Sequence, residues 1–452
     1  MKDLTKGSPL KLILFFTFPL FIGNLFQQLY NFSDILIVGQ TLGVKSLAAV
    51  GATGSLNYLI IGLSTGLTTG LSIVTATRFG ARDYRGVRRS FAAGLIVSLI
   101  FTLILTVITL TFIDPILHVM ETPTEIYAQA KQFIMVIFIG IFATMAFNFL
   151  SNEIRALGDS KTPLWFLMIG TVINVILELL FIIVFHWGVK GAAWATVISQ
   201  IISGVLCVIY IYRSFPMLQL HRVDFVDCTK ELRTQLKFGL PMAFQSSIIS
   251  VGSMIMAVAL NSLGTTSVAA TTSASKVDQL ATLPMMSFGI TMATFAAQNF
   301  GAGEYDRIIK GVKQSLIASI SFSIVVGFLI ILGGKYVVML FVGSGETAVL
   351  KLSQVYFNIV GVSYWLLAIL FIIRYTLQGL GKSVVPTLAG IAELVMRAFA
   401  GLVLTGAMGY AGACFANPLA WFGSMAVLTS SYLRAIKHLH NLQNMKNQQQ
   451  SE

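Results

Sequence analysis

The sequence predicts an all-α polytopic membrane protein: twelve transmembrane helices in two six-helix lobes related by a pseudo-two-fold axis along the membrane normal. Three observations carry this expectation. Only 11% of the 452 residues are charged and 56% are hydrophobic, with a mean hydropathy of +0.82; a soluble chain carries about 25% charged residues. Apolar runs close to the ~20 residues that cross a bilayer core recur from end to end. Finally, landmarks of the first half return in the second at a nearly constant offset.

Taking apolar runs bounded by charges, Gly and Pro places the spans near 11–38, 47–76, 90–112, 127–150, 162–185 and 189–212, then 235–260, 267–297, 312–333, 350–377, 384–405 and 410–434. The expected organisation is an N-lobe over 1–212, a cytoplasmic linker over 213–234, a C-lobe over 235–437 and a polar, unstructured tail over 438–452. The basic N-terminal "MKDLTKGSPLKLILFF" leads into an apolar run too long for a cleaved signal, so it reads as the first span.

A net charge of +12 does not point to nucleic acid, because the basic residues sit in short loops between spans. Arg78, Arg82, Arg85, Arg88 and Arg89 share one loop, and Arg213, Arg222, Lys230, Arg233 and Lys237 share the linker. The opposite loops hold little beyond Lys45, Lys190 and Lys335, and the 113–126 loop carries Asp114, Glu121 and Glu125. Loop Lys and Arg stay in the cytoplasm, which puts both termini there. Cys207, Cys228 and Cys414 have no spacing that suggests a disulfide framework or metal cluster.

The duplication rests on four matches. "EIRALGDSKTP" (153–163) echoes "YTLQGLGKSVVP" (375–386), "RFGARDYRGV" (78–87) echoes "NFGAGEYDRI" (299–308), "GVKGAAWA" (188–195) echoes "GYAGACFA" (409–416), and Pro19 matches Pro241. Six spans per copy is an even number, so both copies enter the membrane in the same direction. Parallel repeats of this kind are a common transporter plan.

An ionisable group in lipid costs ~2.5–3.5 kcal/mol on insertion scales, so each asks for a reason. The span map puts six inside: Asp34, Glu178, Lys276, Asp278, Glu393 and Arg397. Glu393 and Arg397 are i and i+4 on one helix and are expected to form a structural ion pair. Lys276, near a span end, is expected to snorkel. On the first span Asn24, Gln28, Asn31 and Asp34 form a polar stripe that should line a cavity, with interhelical hydrogen bonds as the bland alternative; Pro19 upstream can bend that helix. In "VINVILELLFI", Asn174 and Glu178 are again i and i+4. Glu178 lies about 22 Å along the axis from Pro163, at a depth similar to that of Asp34, so the two acids can share a pocket. They would then share a proton or hold a cation, and titrate as one unit. At the repeat offsets Asp34 falls on Met256, Asn174 on Arg397, Glu178 on Gly401 and Thr196 on Asn417. The second half lacks both acids, which argues for a specialised site in the first.

With "DILIVGQTLGVKSLAAVG" (34–51), "ATFAAQNFGAGEYDRI" (293–308) and "RALGDSKTP", the chain resembles the multidrug and toxic compound extrusion (MATE) family over nearly its whole length. The resemblance implies a transporter in a bacterial cytoplasmic membrane that exports organic cations and drugs by alternating access, driven by inward Na⁺ or H⁺. It also implies an N-lobe cation site at Asp34, Asn174, Glu178 and Thr196, with Glu178 departing from the usual Asp. Span 7 offers Gln245 where a NorM-type member would carry an acid, and span 10 offers none. That favours the DinF-type branch, with Gln245 as a cavity candidate beside Asn24, Gln28 and Asn31. The family bends its first helix at a proline, a role Pro19 can fill. A monomer is expected, with the bilayer and small cationic drugs or metabolites as partners, no nucleic acid, and no cofactor beyond the coupling ion.

Rival classes fit less well. "LQGLGKS" (377–383) fails as a P-loop because Thr376 stands where Gly is required. A flippase for a lipid-linked oligosaccharide or peptidoglycan precursor would call for several cavity-facing cations, and Arg397 is nearly alone. An enzyme ranks last, with no nucleophile–base set in the spans.

Overall fold

The structure is a computed structural model that describes residues 3–120, 122–226, 229–343 and 345–451; Glu121 and Cys228 lie outside the described residues. Among the described residues, ten helices are long and apolar enough to cross a membrane. Two further pairs of helices, Thr124–Ile139 with Ile141–Ala156 and Thr347–Val362 with Tyr364–Gly379, each make one bent span, giving twelve. Span 1 is Pro9–Leu42, span 2 Lys45–Gly80, span 3 Tyr84–Thr111, span 5 Lys161–Val184 and span 6 Val189–Ser214. Span 7 is Thr229–Asn261, span 8 Thr265–Gly301, span 9 Tyr305–Leu340, span 11 Val384–Met408 and span 12 Tyr410–Gln449. The bent pairs are spans 4 and 10.

Packing divides the chain into two compact units. One holds Ile22–Ala243 and the other Leu4–Phe21 together with Phe244–Glu452. Spans 1 and 7 therefore each change units part-way, two residues after Pro19 and two after Pro241. Both prolines lie inside unbroken helices. In the second unit Thr17, beside Pro19, donates to Thr291 at 2.8 Å.

The units repeat each other's backbone. Span 4 bends by 44° at Gly140, and span 10 by 49° at Ser363. Spans 5 and 11 each end in a π-helical stretch, Leu180–Val184 and Ala400–Leu404. Each is followed by a glycine with nearly the same conformation, Gly188 (φ 60°, ψ −144°) and Gly409 (φ 62°, ψ −137°), a region open to little but glycine. Where the second copy uses Gly303 at φ 69°, the first holds Arg82 at φ 57°.

One expectation needs correction. The tail is not unstructured: its helix runs on to Ser451, and Lys446 Nζ holds it by bonds to the Gly303 carbonyl (3.0 Å) and to Glu304 (3.2 Å). The linker packs into the first unit. Leu218 is buried, Arg88 pairs with Asp224 at 3.6 Å, and Gln235 Nε2 donates to the Ser90 carbonyl at 2.9 Å.

Candidate functional site

Span 5 is positioned from its start. Asp159, just before it, accepts from the backbone N–H groups of Lys161 (3.0 Å) and Thr162 (3.1 Å), the Thr162 hydroxyl (2.7 Å) and the Tyr210 phenol of span 6 (2.7 Å). Burial pushes the Asp159 carboxyl up, but these bonds outweigh it and hold the group below its ordinary range. Pro163 sits in the first turn, where its missing N–H removes nothing the helix uses. Small residues then close spans 5 and 6 together, as membrane helix pairs commonly do. Gly170 faces Ser203, whose hydroxyl donates to the Phe166 carbonyl at 3.1 Å, and Gly191 leaves room for Phe181.

This close packing sets Asn174 against Thr196, with Nδ2 3.5 Å from the threonine hydroxyl. One turn on, Glu178 is fully buried, as is Asn174. The helix changes to π geometry two residues after Glu178; such bulges are frequent at functional sites. Span 1 brings in Asp34, within electrostatic reach of Glu178, and Tyr30, whose phenol oxygen lies beside Thr196 and Ser199. Gly23 lets span 1 approach span 5, facing Leu164 and Leu167.

The result is a cluster of two carboxylates, a carboxamide, a phenol and two hydroxyls within one unit. Its polar atoms are under-satisfied. Asp34 Oδ1, both Glu178 Oε atoms, Asn174 Oδ1 and Tyr30 Oη are buried without a hydrogen-bond partner among the described residues. Unpaired buried oxygens are costly, so such a set calls for a proton or a hard cation to complete it. The donor set fits both: five orphaned oxygens, two of them on one carboxylate that can chelate, and no soft ligand. No group of three or more His, Cys, Asp or Glu that could hold a metal occurs among the described residues.

All four expected coupling residues are thus brought together. Of the cavity candidates, Asn24 and Gln28 are half-buried and Asn31 is exposed. Gln245 lies in the other unit, where its carbonyl oxygen accepts from Gln378 at 2.9 Å. Tyr30 and Ser199 escaped the sequence reading, though Tyr30 lies four residues before Asp34 and so on its face. Two buried charges escaped as well. Glu153 is fully buried near Thr75, with both carboxylate oxygens unpaired. Arg374 is the closest partner of Glu393, while Arg397 stands at 3.5 Å from the same carboxylate. The expected Glu393–Arg397 pair is therefore a three-residue cluster. Asp278 accepts from the Tyr364 phenol at 2.6 Å.

The MatE family model matches residues 19–180 and again 241–403, one copy in each half. The chain belongs to the MatE family. Membership in this family of multidrug transporters sets the enzyme class aside. Among relatives, the Probable multidrug resistance protein YpnP of Bacillus subtilis (strain 168) is 28% identical over 378 residues, covering 80% of this chain and 82% of that one. The Multidrug export protein MepA of Staphylococcus saprophyticus is 23% identical, covering 92% of this chain and 91% of its own. A crystal structure of MATE in complex with MaL6 superposes with a TM-score of 0.89 at 23% identity, over 98% of this chain and 99% of that one. The twelve-span, two-lobe fold of the family is thus the fold of this chain.

Proposed function

We propose that this MatE-family chain is a cation-coupled antiporter that exports organic cations from the cytoplasm, with H⁺ or Na⁺ loading at Asp34, Asn174, Glu178 and Thr196. The observation that carries the reading is the pairing of Asp34 with Glu178 among buried oxygens that have no protein donor. Ion loading neutralises the cluster's negative field and draws span 1 toward spans 5 and 6. Both effects weaken the hold on a cationic cargo. Emptying the site restores the field and the affinity. An ion drives such a cycle only through different affinities in the two states, and a half-satisfied carboxylate pair responds steeply to loading because its members titrate together. The names of the relatives, multidrug resistance and multidrug export proteins, support small drugs as cargo. The absence of paired acids from the second unit's matching positions supports the DinF-type branch. Basic loops support a cytoplasmic-membrane protein with both termini inside.

The test is efflux of a fluorescent cationic dye from proteoliposomes under separate Na⁺ and pH gradients. Asp34→Asn and Glu178→Gln are each expected to cut gradient-driven efflux tenfold or more, and the gradient that drives the wild type names the ion. Undiminished export in both variants would rule the site out.

A further inference from the structure

Span 3 carries a stripe of side chains that the coupling cluster does not use. Arg88, Phe91, Leu95, Ser98, Leu99 and Thr102 recur at three- and four-residue steps and so share one helix face. All but Arg88 line a groove of about 660 Å³ whose other walls come from span 4, span 6 and the end of the linker. Its floor is solid, with Phe91, Phe149, Ile211 and Leu218 buried and the Phe91 and Phe149 rings stacked at 5.5 Å. Its open side shows Leu99, Phe142 and Val208, each about half exposed or more. The whole groove lies within the first unit, and its size is that of a small-ligand site. From Arg88 to Thr102 the stripe runs about 21 Å, half the thickness of a ~40–45 Å bilayer with its headgroups.

The groove is polar at one end only. Gln219 of the linker donates to the Tyr212 carbonyl at the end of span 6 (3.1 Å), and the His221 backbone N–H donates to Asp224 (2.9 Å); Tyr212, Gln219 and His221 all line the groove. Tyr212 is largely exposed, the usual place of a tyrosine at a membrane–water interface. Arg88 reaches this end from span 3. Its Nε stands 3.6 Å from Asp224, near enough to attract but too far to hydrogen-bond, and this buried N–H has no partner among the described residues. Two exposed arginines, Arg213 and Arg222, adjoin Tyr212 and His221 in the chain. Asp224 is the acid that Arg88 and His221 share. The groove thus joins a cationic mouth to an apolar channel one leaflet long, and guanidinium groups at such a mouth match a phosphate in charge and shape.

We propose that this groove binds one anionic phospholipid from the leaflet on the basic-loop side, its phosphate held by Arg88 and Arg222 and an acyl chain laid along the stripe from Phe91 to Thr102. The cationic mouth sets the headgroup charge, and the apolar length sets the tail. A cationic amphiphile would meet arginines where its own charge must sit. The site is separate from the Asp34–Glu178 cluster and does not depend on which ion or cargo that cluster serves.

The experiment uses the purified, delipidated full-length protein in maltoside micelles. Thermal unfolding is followed while phosphatidylglycerol, or in a second arm phosphatidylcholine with the same acyl chains, is titrated in at constant ionic strength. A third arm adds tetraphenylphosphonium, a lipophilic cation. The wild type is expected to show a saturable rise in midpoint with phosphatidylglycerol, at an apparent affinity at least tenfold above that for phosphatidylcholine. Ala146→Phe, which fills the groove from its exposed side, is expected to weaken the phosphatidylglycerol response at least tenfold. Arg88→Gln is expected to abolish most of the preference between the two lipids. Equal wild-type responses to both lipids overturn the proposal, and so does an unchanged phosphatidylglycerol response in Ala146→Phe. A saturable tetraphenylphosphonium response that Ala146→Phe abolishes assigns the groove to cargo and overturns it too. Should Ala146→Phe fail to fold, an undiminished lipid preference in Arg88→Gln overturns it. No transport is measured, so a failed efflux experiment leaves this result untouched.

Discussion

The Arg374–Glu393–Arg397 cluster makes a prediction that separates its members. At an effective dielectric of about 20, unit charges 3.5 Å apart, the Arg397–Glu393 separation, attract by about 5 kcal/mol. Arg397→Gln gives up that attraction but also relieves the repulsion that Arg397 exerts on Arg374, and Glu393 keeps its nearer partner. The two changes oppose each other, so this variant should stay within about 1 kcal/mol of wild type, in the range of surface-like substitutions. Glu393→Gln has no such offset. It leaves two buried guanidinium groups facing each other, and breaking a buried ion cluster from one side costs about 3–5 kcal/mol. Unfolding of a multi-span protein in detergent is commonly irreversible, so the ranking of midpoints at one heating rate is the appropriate measure. The expected order is wild type close to Arg397→Gln, with Glu393→Gln well below both. Equal losses in the two variants, or a Glu393→Gln protein as stable as wild type, would refute the assignment of Arg374 as the principal partner.

Two further outcomes follow from the first unit. Asp159→Ala removes an acceptor of four hydrogen bonds at the start of span 5 and should cost about 2 kcal/mol. Because the folded Asp159 carboxyl sits below its ordinary range, its stabilisation is present above the unfolded carboxylate pKa and fades as pH falls through the folded value; midpoints of wild type and variant should therefore converge in acid, and a gap that persists there refutes this reading. Gly140→Ala, at the bend of span 4, puts a methyl group onto Val197, the neighbour of Thr196. Overpacking of this kind costs about 1–3 kcal/mol, and dye efflux should fall with it; Val197→Ala in the same chain should restore both, and failure to do so locates the defect elsewhere.

Much of this architecture is legible in the sequence because lipid enforces two simple rules. Spanning segments must be long and apolar, and charges within them must have a purpose. Both rules act on single residues and local spacing, which is why the i, i+4 pair Asn174 and Glu178 points to a site before any coordinates. The features that stay hidden depend on what packs alongside. The bends at Gly140 and Ser363 carry no proline, and Gly140 lies against Val197 of span 6. Asn31 and Tyr30 are adjacent and both plausible neighbours of Asp34; only the position of span 6 selects Tyr30, through Thr196 and Ser199. Arg374 was readable as a charge in an apolar run, but its pairing with Glu393 across 19 residues of sequence is a tertiary fact. The polar tail reads as unstructured by composition, and becomes helix because span 12 continues into it and Lys446 ties it to the end of span 8.

The two copies also show how a duplicated backbone can diverge in chemistry without diverging in shape. The π-helical stretches, the bent spans and the positive-φ glycines at 188 and 409 recur, so the frames that hold residues 178 and 401 match. Within those frames the side chains differ: two acids, an amide and a phenol in one, a methionine, an arginine and two glycines in the other. Had the acids served only to fasten helices together, the second copy would need a comparable fastener at the same place, and it has a cavity there instead. What the copies share is the backbone frame, while at these positions the paired acids belong to the first unit alone; that asymmetry is what the proposed ion-loading cycle uses, since an ion drives a cycle only through different affinities in its two states.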